Sequence, residues 1–370
     1  MSSTVASHAA SAPGSSAASP AAPDSAASPA ATHQGPAGGN AIEADGLVKT
    51  YAVRGRREGV RALNGLSITV PRGVIFGLLG PNGAGKSTTI KILTTLARPD
   101  QGTAIVQGLD VLKRPDQVRR VIGVVAQKSG SDPMATGREN LILQGHLFGM
   151  RGAAVRARAD ELLERFDLAS VAGRLVKTYS GGMQRRLDVA LGLVHRPQIL
   201  FLDEPTAGLD PEARTAMWQE IARLSGGEGM TVLLTTHYME EADRLAGRLA
   251  IVDHGRVVAE GTPDEMKGDL RGDAVHLELA PDSGPSRAED ALRDLPGVRD
   301  LRVSGRDISA RSDDGAAAVP GILAALDRAG APAAAVTVAR PSLDDVYLRH
   351  TGHRYSAVLP SETPQEANQS

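Results

Sequence analysis

The sequence predicts an α/β protein: a mainly parallel sheet with a helical segment inserted into it, followed by a small α+β unit. Three observations predict this. Short apolar runs at residues 74–79, 121–125, 199–202 and 231–235 have the length of strands buried on both faces, as a parallel sheet requires. Each leads into polar residues and then a helical pattern, the alternation of an α/β sheet. From Asp273 the segments follow a β-α-β-β-α-β order, that of a small ferredoxin-like sandwich.

In chain order, residues 1–40 contain 31 Ala, Ser, Pro or Gly residues, with Asp24 the one residue among Asp, Glu, Lys and Arg. Such a stretch buries too little apolar surface to offset its ordering entropy, so a disordered leader is expected. It has neither the basic nor the apolar region of a signal peptide. Leu66, Ile68 and Val70 then alternate with Ser67 and Thr69 up to Pro71, a half-buried strand. Residues 74–79 form the next strand, a Gly-rich turn follows, and a helix is expected over 86–97. Between Ser129 and Thr178 the pattern is mainly helical, clearest at 154–166, which predicts an inserted helical subdomain. In the last unit Val275, Leu277 and Leu279 alternate with His276 and Glu278. A helix at 287–294, strands at 301–303 and near Ile308, a helix at 319–329 and a strand at 335–338 complete it. The expected division is a leader at 1–40, a main domain at 41–268, an accessory domain at 269–352 and a polar tail at 353–370.

Composition narrows the function classes. The 43 acidic and 41 basic residues nearly cancel, which argues against a dominant polyanion-binding surface and hence against nucleic acid as partner. No apolar run approaches the ~18–20 residues of a membrane helix. The absence of cysteine excludes a disulfide scaffold, a thiolate metal site and a cysteine nucleophile. Arg54, Arg56 and Arg57 read as a short solvated basic loop, and His195 and His254 as surface-turn residues.

Three segments carry chemistry. Gly80-Pro81-Asn82-Gly83-Ala84-Gly85-Lys86-Ser87 fits G-x-x-x-x-G-K-[ST] between a buried strand and a helix. Its glycines let successive N–H groups point at phosphate oxygens, the helix adds its positive end, Lys86 supplies a mobile charge, and Ser87 is poised to ligate Mg²⁺. The run Ile199-Leu200-Phe201-Leu202 delivers Asp203 and Glu204 to the strand's carboxyl end, where such sheets bind ligands. Asp203 would hold Mg²⁺ and Glu204 would polarise the attacking water as general base. In Tyr179-Ser180-Gly181-Gly182-Met183, Ser180 is a good N-cap, and Met183, Leu187, Leu191 and Val194 form a helical stripe. Bare N–H groups at this helix start make a second anion site. Two such sites for one nucleotide are explained by a dimer in which each chain's second site closes over its partner's nucleotide.

The order of these segments, followed by His237, resembles that of ATP-binding cassette (ABC) ATPases, above all the ATPase subunits of daunorubicin-resistance-type drug exporters. The resemblance covers about residues 42–267. It implies a P-loop NTPase core with a β-subdomain, a homodimer binding ATP and Mg²⁺ that lies peripherally at the cytoplasmic face of a bacterial cell membrane, and a separate integral membrane permease. By the same resemblance Gly80, Asn82, Gly83, Gly85, Lys86, Ser87 and Thr88 hold the phosphates and Tyr51 stacks on adenine. Gln127 senses Mg²⁺ and links to the helical subdomain, while Ser180, Gly181 and Gly182 meet the partner's γ-phosphate. Asp210 couples the two sites, and His237 bonds the γ-phosphate and the attacking water. Tyr179 and Met183 stand where the family commonly has Leu and Gln, with Gln184 one residue out of register. Residues 341–348 look like the closing helix of the same subgroup. The competing reading is a soluble ABC ATPase acting on ribosomes or DNA. Against it stand a single motif set, no zinc-binding cysteines, and aromatics at only 3%, too few for base-stacking platforms.

Overall fold

The computed structural model describes residues 39–52, 59–227, 229–270, 272–281 and 283–352. The Ala/Ser/Pro-rich leader up to residue 38, the loop of Arg54, Arg56 and Arg57, and the tail from His353 lie outside the described residues.

β1 (Asn40–Tyr51) and β2 (Val60–Pro71) pair antiparallel. Leu66, Ile68 and Val70 turn inward and Ser67 and Thr69 outward, as their alternation requires. In β1 the register shifts between Ala44 and Leu47, where Gly46 has a φ of 59°, so the two-residue period is broken. β3 (Ile75–Leu79) is buried at every residue. α1 (Lys86–Leu93) ends short of Ala97 because Thr95 takes a left-handed φ of 66°. β4 (Gln101–Val106) and β5 (Leu109–Asp110) complete a first sheet ordered β2-β1-β4-β5. α2 (Pro115–Val121) takes Val121 out of the expected strand, and β6 (Ile122–Val125) starts one residue later.

The helical insertion holds α3 (Gly137–Leu147), opened by a capping box of Thr136 and Glu139, and α4 (Gly152–Arg165). α5 (Gly181–Leu193) follows with Ser180 as N-cap. Next come β7 (Ile199–Asp203), α6 (Pro211–Gly226), β8 (Thr231–Thr236), α7 (Met239–Leu245), β9 (Arg248–Asp253) and β10 (Arg256–Gly261). The second sheet is ordered β10-β9-β3-β8-β7-β6, parallel except for β10. One face, with Phe76, Leu78, Phe201 and Leu233, packs on α1 and the first sheet. The other, with Leu200, Leu202, Val232 and Leu234, packs on α5, α6 and the insertion. Covering both faces explains why the middles of these strands are apolar, and it leaves the carboxyl ends of β3, β7 and β8 at one edge.

α8 (Pro263–Gly268) leads to the accessory unit: β11 (Asp273–Leu279), α9 (Pro285–Arg293), β12 (Arg299–Ser304), β13 (Asp307–Ser312), α10 (Gly315–Arg328) and β14 (Ala333–Ala339). Its antiparallel sheet, ordered β12-β13-β11-β14, packs Val275, Leu277 and Leu279 against Leu292, Ile322 and Leu326. α11 (Leu343–Thr351) does not join that core. Leu343, Val346 and Tyr347 pack instead on Leu79, Ala242, Leu249, Ile251 and Met266 of the main domain. Among the described residues no helix is long and apolar enough to cross a membrane.

Candidate active site

β3 delivers the chain to Gly80, whose N–H donates to the Thr236 carbonyl (3.3 Å) at the end of β8. The loop then turns tightly into α1. Gly85, the helix N-cap, has a φ of 111°, and a Cβ there would sit 2.6 Å from the Ala62 carbonyl oxygen. Asn82 is exposed on the loop and Thr88 half-buried in the first turn of α1. The Lys86 ammonium is folded back into this loop, donating to the carbonyls of Gly80 (2.6 Å) and Pro81 (3.0 Å). Burial pulls the Lys86 pKa down, while Glu204 and Asp203 pull it back up.

The end of β7 supplies the acids. Asp203 Oδ1 accepts from Ser87 Oγ (3.1 Å) and Thr235 Oγ1 (2.6 Å). Glu204 follows in a left-handed conformation with a φ of 48°, which a non-glycine residue keeps only when its surroundings fix it. Its N–H donates to Thr235 Oγ1 (3.0 Å) and to the Thr235 carbonyl (3.2 Å). Its carboxylate lies 3.3 Å from His237 Nδ1 and 3.8 Å from Lys86 Nζ, and accepts from Gln127 Nε2 at 3.3 Å. The His237 ring and, after it, the Lys86 ammonium hold the Glu204 carboxyl below the usual carboxylate range, against the opposing effect of burial.

Six residues named from the sequence thus converge: Lys86, Ser87, Gln127, Asp203, Glu204 and His237. Tyr51, Ser180, Gly181, Gly182 and Asp210 stand apart. Tyr51 is exposed at the end of β1, with the Lys49 ammonium 5.6 Å from its ring centre. Ser180 and Gly181 are exposed at the start of α5, where Ser180 Oγ accepts from the Met183 N–H (3.3 Å). Gly182 lets α5 approach α6, since a Cβ there would lie 2.9 Å from the Ala213 Cβ. Asp210 caps α6 by accepting from the Ala213 N–H (2.8 Å). Among the described residues none of these makes a side-chain hydrogen bond to the six. Met183 packs against the core beside α5. His254 is on an exposed turn as expected. His195 is not: its ring is half-buried, stacked on Phe148 at 3.6 Å, with Nε2 2.8 Å from the Ile122 carbonyl.

Two functional positions escaped the sequence reading. Thr235, fully buried, joins Asp203 to the Glu204 backbone; a hydroxyl closing an apolar strand beside two acids is the signal for it. Arg185, also buried, donates to the carbonyls of Ala126 (2.6 Å), Pro205 (2.7 Å), Asp203 (3.0 Å) and Glu204 (3.2 Å). Backbone carbonyls carry no side-chain identity, so nothing in the sequence marks those partners.

The donor set also bears on a metal. Ser87 and Asp203 present oxygens side by side at the lysine end of the loop, a hard pair suited to Mg²⁺, which takes one or two protein ligands together with phosphates and water. Among the described residues no cluster of three His, Cys, Asp or Glu forms a protein-only cage.

A glycine-rich phosphate loop, an Asp-Glu pair at the adjoining strand end and a histidine on that carboxylate, in a sheet carrying a helical insertion, define a P-loop ATPase of the cassette type. Comparison with known proteins gives its family. Residues 63–207 match the family described as ABC transporter, and residues 261–351 the ATP-binding protein DrrA1-3-like C-terminal domain. The chain is 48% identical to the daunorubicin/doxorubicin resistance ATP-binding protein DrrA of Streptomyces peucetius, over 85% of this chain and 93% of that one. It is 43% identical to the Nod factor export ATP-binding protein I of Paraburkholderia xenovorans (strain LB400), over 72% and 84%. Among solved structures it resembles the dimeric post-hydrolysis state of the ATP-binding cassette MJ0796 bound to ADP and Pi, with a TM-score of 0.56 and 28% identity over 60% of this chain and 98% of that one. The chain belongs to the ABC transporter ATP-binding family, in its DrrA-like branch, and is an ATPase.

Proposed function

We propose that this chain is the ATP-hydrolysing subunit of a drug exporter, working as a homodimer with a separate membrane permease at the cytoplasmic face of a bacterial membrane. The observation that carries the reading is Glu204, held ionised among His237, Gln127 and Lys86 beside the phosphate loop. Lys86 exchanges the Gly80 and Pro81 carbonyls for the outer phosphates of ATP. Glu204 accepts the proton of the attacking water, and His237 orients that water against the γ-phosphate. Mg²⁺, held by Ser87 and Asp203 with Gln127 nearby, would offset the phosphate charge. Tyr51, exposed and at a strand end, is free to stack on adenine. The start of α5, with Ser180 and Gly181 exposed and Gly182 half-buried, is open to a partner's nucleotide, and Asp210 lies near the same surface, at the cap of the helix against which Gly182 packs. Stabilisation by such donors is typically worth ~10²–10³ in rate for each one removed.

A permease is supported by the groove of Val124, Gly130, Gln144 and Leu191 beside Ala126, next to Gln127, while α3 also exposes Leu143 and Leu147. Relatives named for daunorubicin resistance and Nod factor export favour transport over ribosome or DNA work and support the reading of the cargo as a hydrophobic drug or antibiotic. The test is transport. Inverted membrane vesicles holding the chain and its permease should accumulate an anthracycline in an ATP-dependent way, and vesicles with Glu204→Gln should not. No ATP-dependent uptake of any hydrophobic drug, with ATPase activity intact, would overturn the exporter assignment.

A further inference from the structure

Arg185 lies five residues past Ser180, about 7.5 Å along the axis of α5 at the usual helical rise. Its guanidinium is sunk between three segments. It holds the consecutive carbonyls of Asp203, Glu204 and Pro205 on one side and the Ala126 carbonyl, just before Gln127, on the other. We propose that Arg185 is a positioning residue: it ties the Ser180-Gly181-Gly182 end of α5 to Glu204 within one chain, so that nucleotide engaged at the helix start sets the geometry of the base at the chain's own nucleotide. This rests on the reading of Glu204 as base and of residues 180–182 as serving the partner's site.

Three features carry it. First, a buried guanidinium is a poor route to stability, since an apolar side chain of similar volume generally does as well or better. Its use here is directional, because a fork of five N–H groups reaches four carbonyls on two separate segments of the chain. Second, the Glu204 backbone is strained at a φ of 48°, so its side-chain direction depends on what grips it. Thr235 grips the N–H and Arg185 the carbonyl. Third, α5 holds the Gln127 loop a second time. Asp188, one turn after Arg185 and 3.9 Å from it, accepts from Ser129 Oγ at 2.7 Å. Gln127 in turn donates to the Glu204 carboxylate. The helix therefore reaches Glu204 through its backbone and through its carboxylate, while its start faces solvent. A tilt of α5 on binding nucleotide at Ser180 must move both grips together.

The experiment uses the full-length chain with Arg185→Lys and Arg185→Ala, and Glu204→Gln in parallel. Lysine keeps the charge but places its N–H groups at one point, so it cannot serve both sides. Arg185→Lys should bind ATP within about twofold of wild type. Its kcat should fall about tenfold or more, because small misplacements of a catalytic group are that costly. The Hill coefficient for ATP should drop towards 1. Guanidinium ion, at concentrations well below those that unfold the chain, should restore part of the kcat of Arg185→Ala. Wild-type kcat and cooperativity in Arg185→Lys would overturn the proposal. So would a loss of ATP affinity equal to the loss of kcat, a wild-type Hill coefficient of 1, or failure of both variants to fold. Normal turnover in Glu204→Gln would instead sink the base assignment, whatever Arg185 does.

Discussion

His237 Nδ1 lies 3.3 Å from Oε1 of Glu204, with both side chains largely shielded from water. The ring, followed by the Lys86 ammonium, keeps the Glu204 carboxyl below its ordinary range although burial pushes the other way. Glu204 is therefore ionised at neutral pH and loses its capacity to accept a proton only as pH falls through that depressed value. The acid limb of kcat/KM, which reports the free enzyme, belongs below the usual glutamate range. His237→Ala removes the largest lowering contact and leaves burial in place, so that limb should move to higher pH. A pH–rate profile with the same acid limb in both proteins would rule the relationship out.

Glu204→Gln keeps the shape of the side chain and removes the base. Hydrolysis should fall by about 10²–10⁴, the usual worth of a positioned proton acceptor, while ATP still binds. Dimers should then accumulate with ATP in size-exclusion chromatography. Wild-type turnover would remove Glu204 as the base.

Lys86→Ala tests the phosphate loop. The ammonium is parked on two backbone carbonyls, so it is already desolvated and aimed into the loop before nucleotide arrives. Removing a charged donor of this kind should weaken ATP binding about ten- to hundredfold in equilibrium titration. Unchanged affinity would refute nucleotide binding at this loop.

What the sequence made legible follows from where physics leaves a pattern. β3 and the middles of β7 and β8 are apolar because both of their faces are covered, and their run lengths reveal them. β1 escaped because Gly46 breaks its period. The acids, Lys86, Ser87, Gln127 and His237 were legible because their order along the chain is itself a signal. Arg185 acts on carbonyls that any residue could supply, and His195 is covered by Phe148, far from it in sequence. α11 was read with the accessory unit it follows in sequence, but its apolar face fits the main-domain core.

Thr235 offers a sharper test of that hidden layer. Its hydroxyl donates to Asp203 Oδ1 and accepts from the Glu204 N–H, so Thr235→Val removes one of the two hydrogen bonds of each, leaving Asp203 Oδ1 with Ser87 and the Glu204 N–H with the Thr235 carbonyl. Each lost hydrogen bond is worth about 0.5–1.5 kcal/mol, and urea unfolding should show a loss of stability together with reduced ATPase activity. Thr235→Ser keeps the hydroxyl and should recover both. Equal stability in the Val and Ser variants would show that the hydroxyl bridges nothing that matters.

Tyr347 tests whether the chain's last described helix belongs energetically to the ATPase. Its ring is fully buried against main-domain side chains, and its hydroxyl lies 3.4 Å from Asp253 Oδ1 at the end of β9. Two residues on, the Gly255 N–H donates to the Ala84 carbonyl of the phosphate loop at 2.9 Å. Tyr347→Ala should remove about 3–5 kcal/mol, the usual cost of emptying a large aromatic site, and should weaken ATP's protection of the main domain against heat. Leu292→Ala, in the separate core of the accessory sandwich, should destabilise that unit by about 2–5 kcal/mol and leave ATP protection intact. If both variants spare ATP protection equally, α11 is an ornament on the ATPase rather than part of its core.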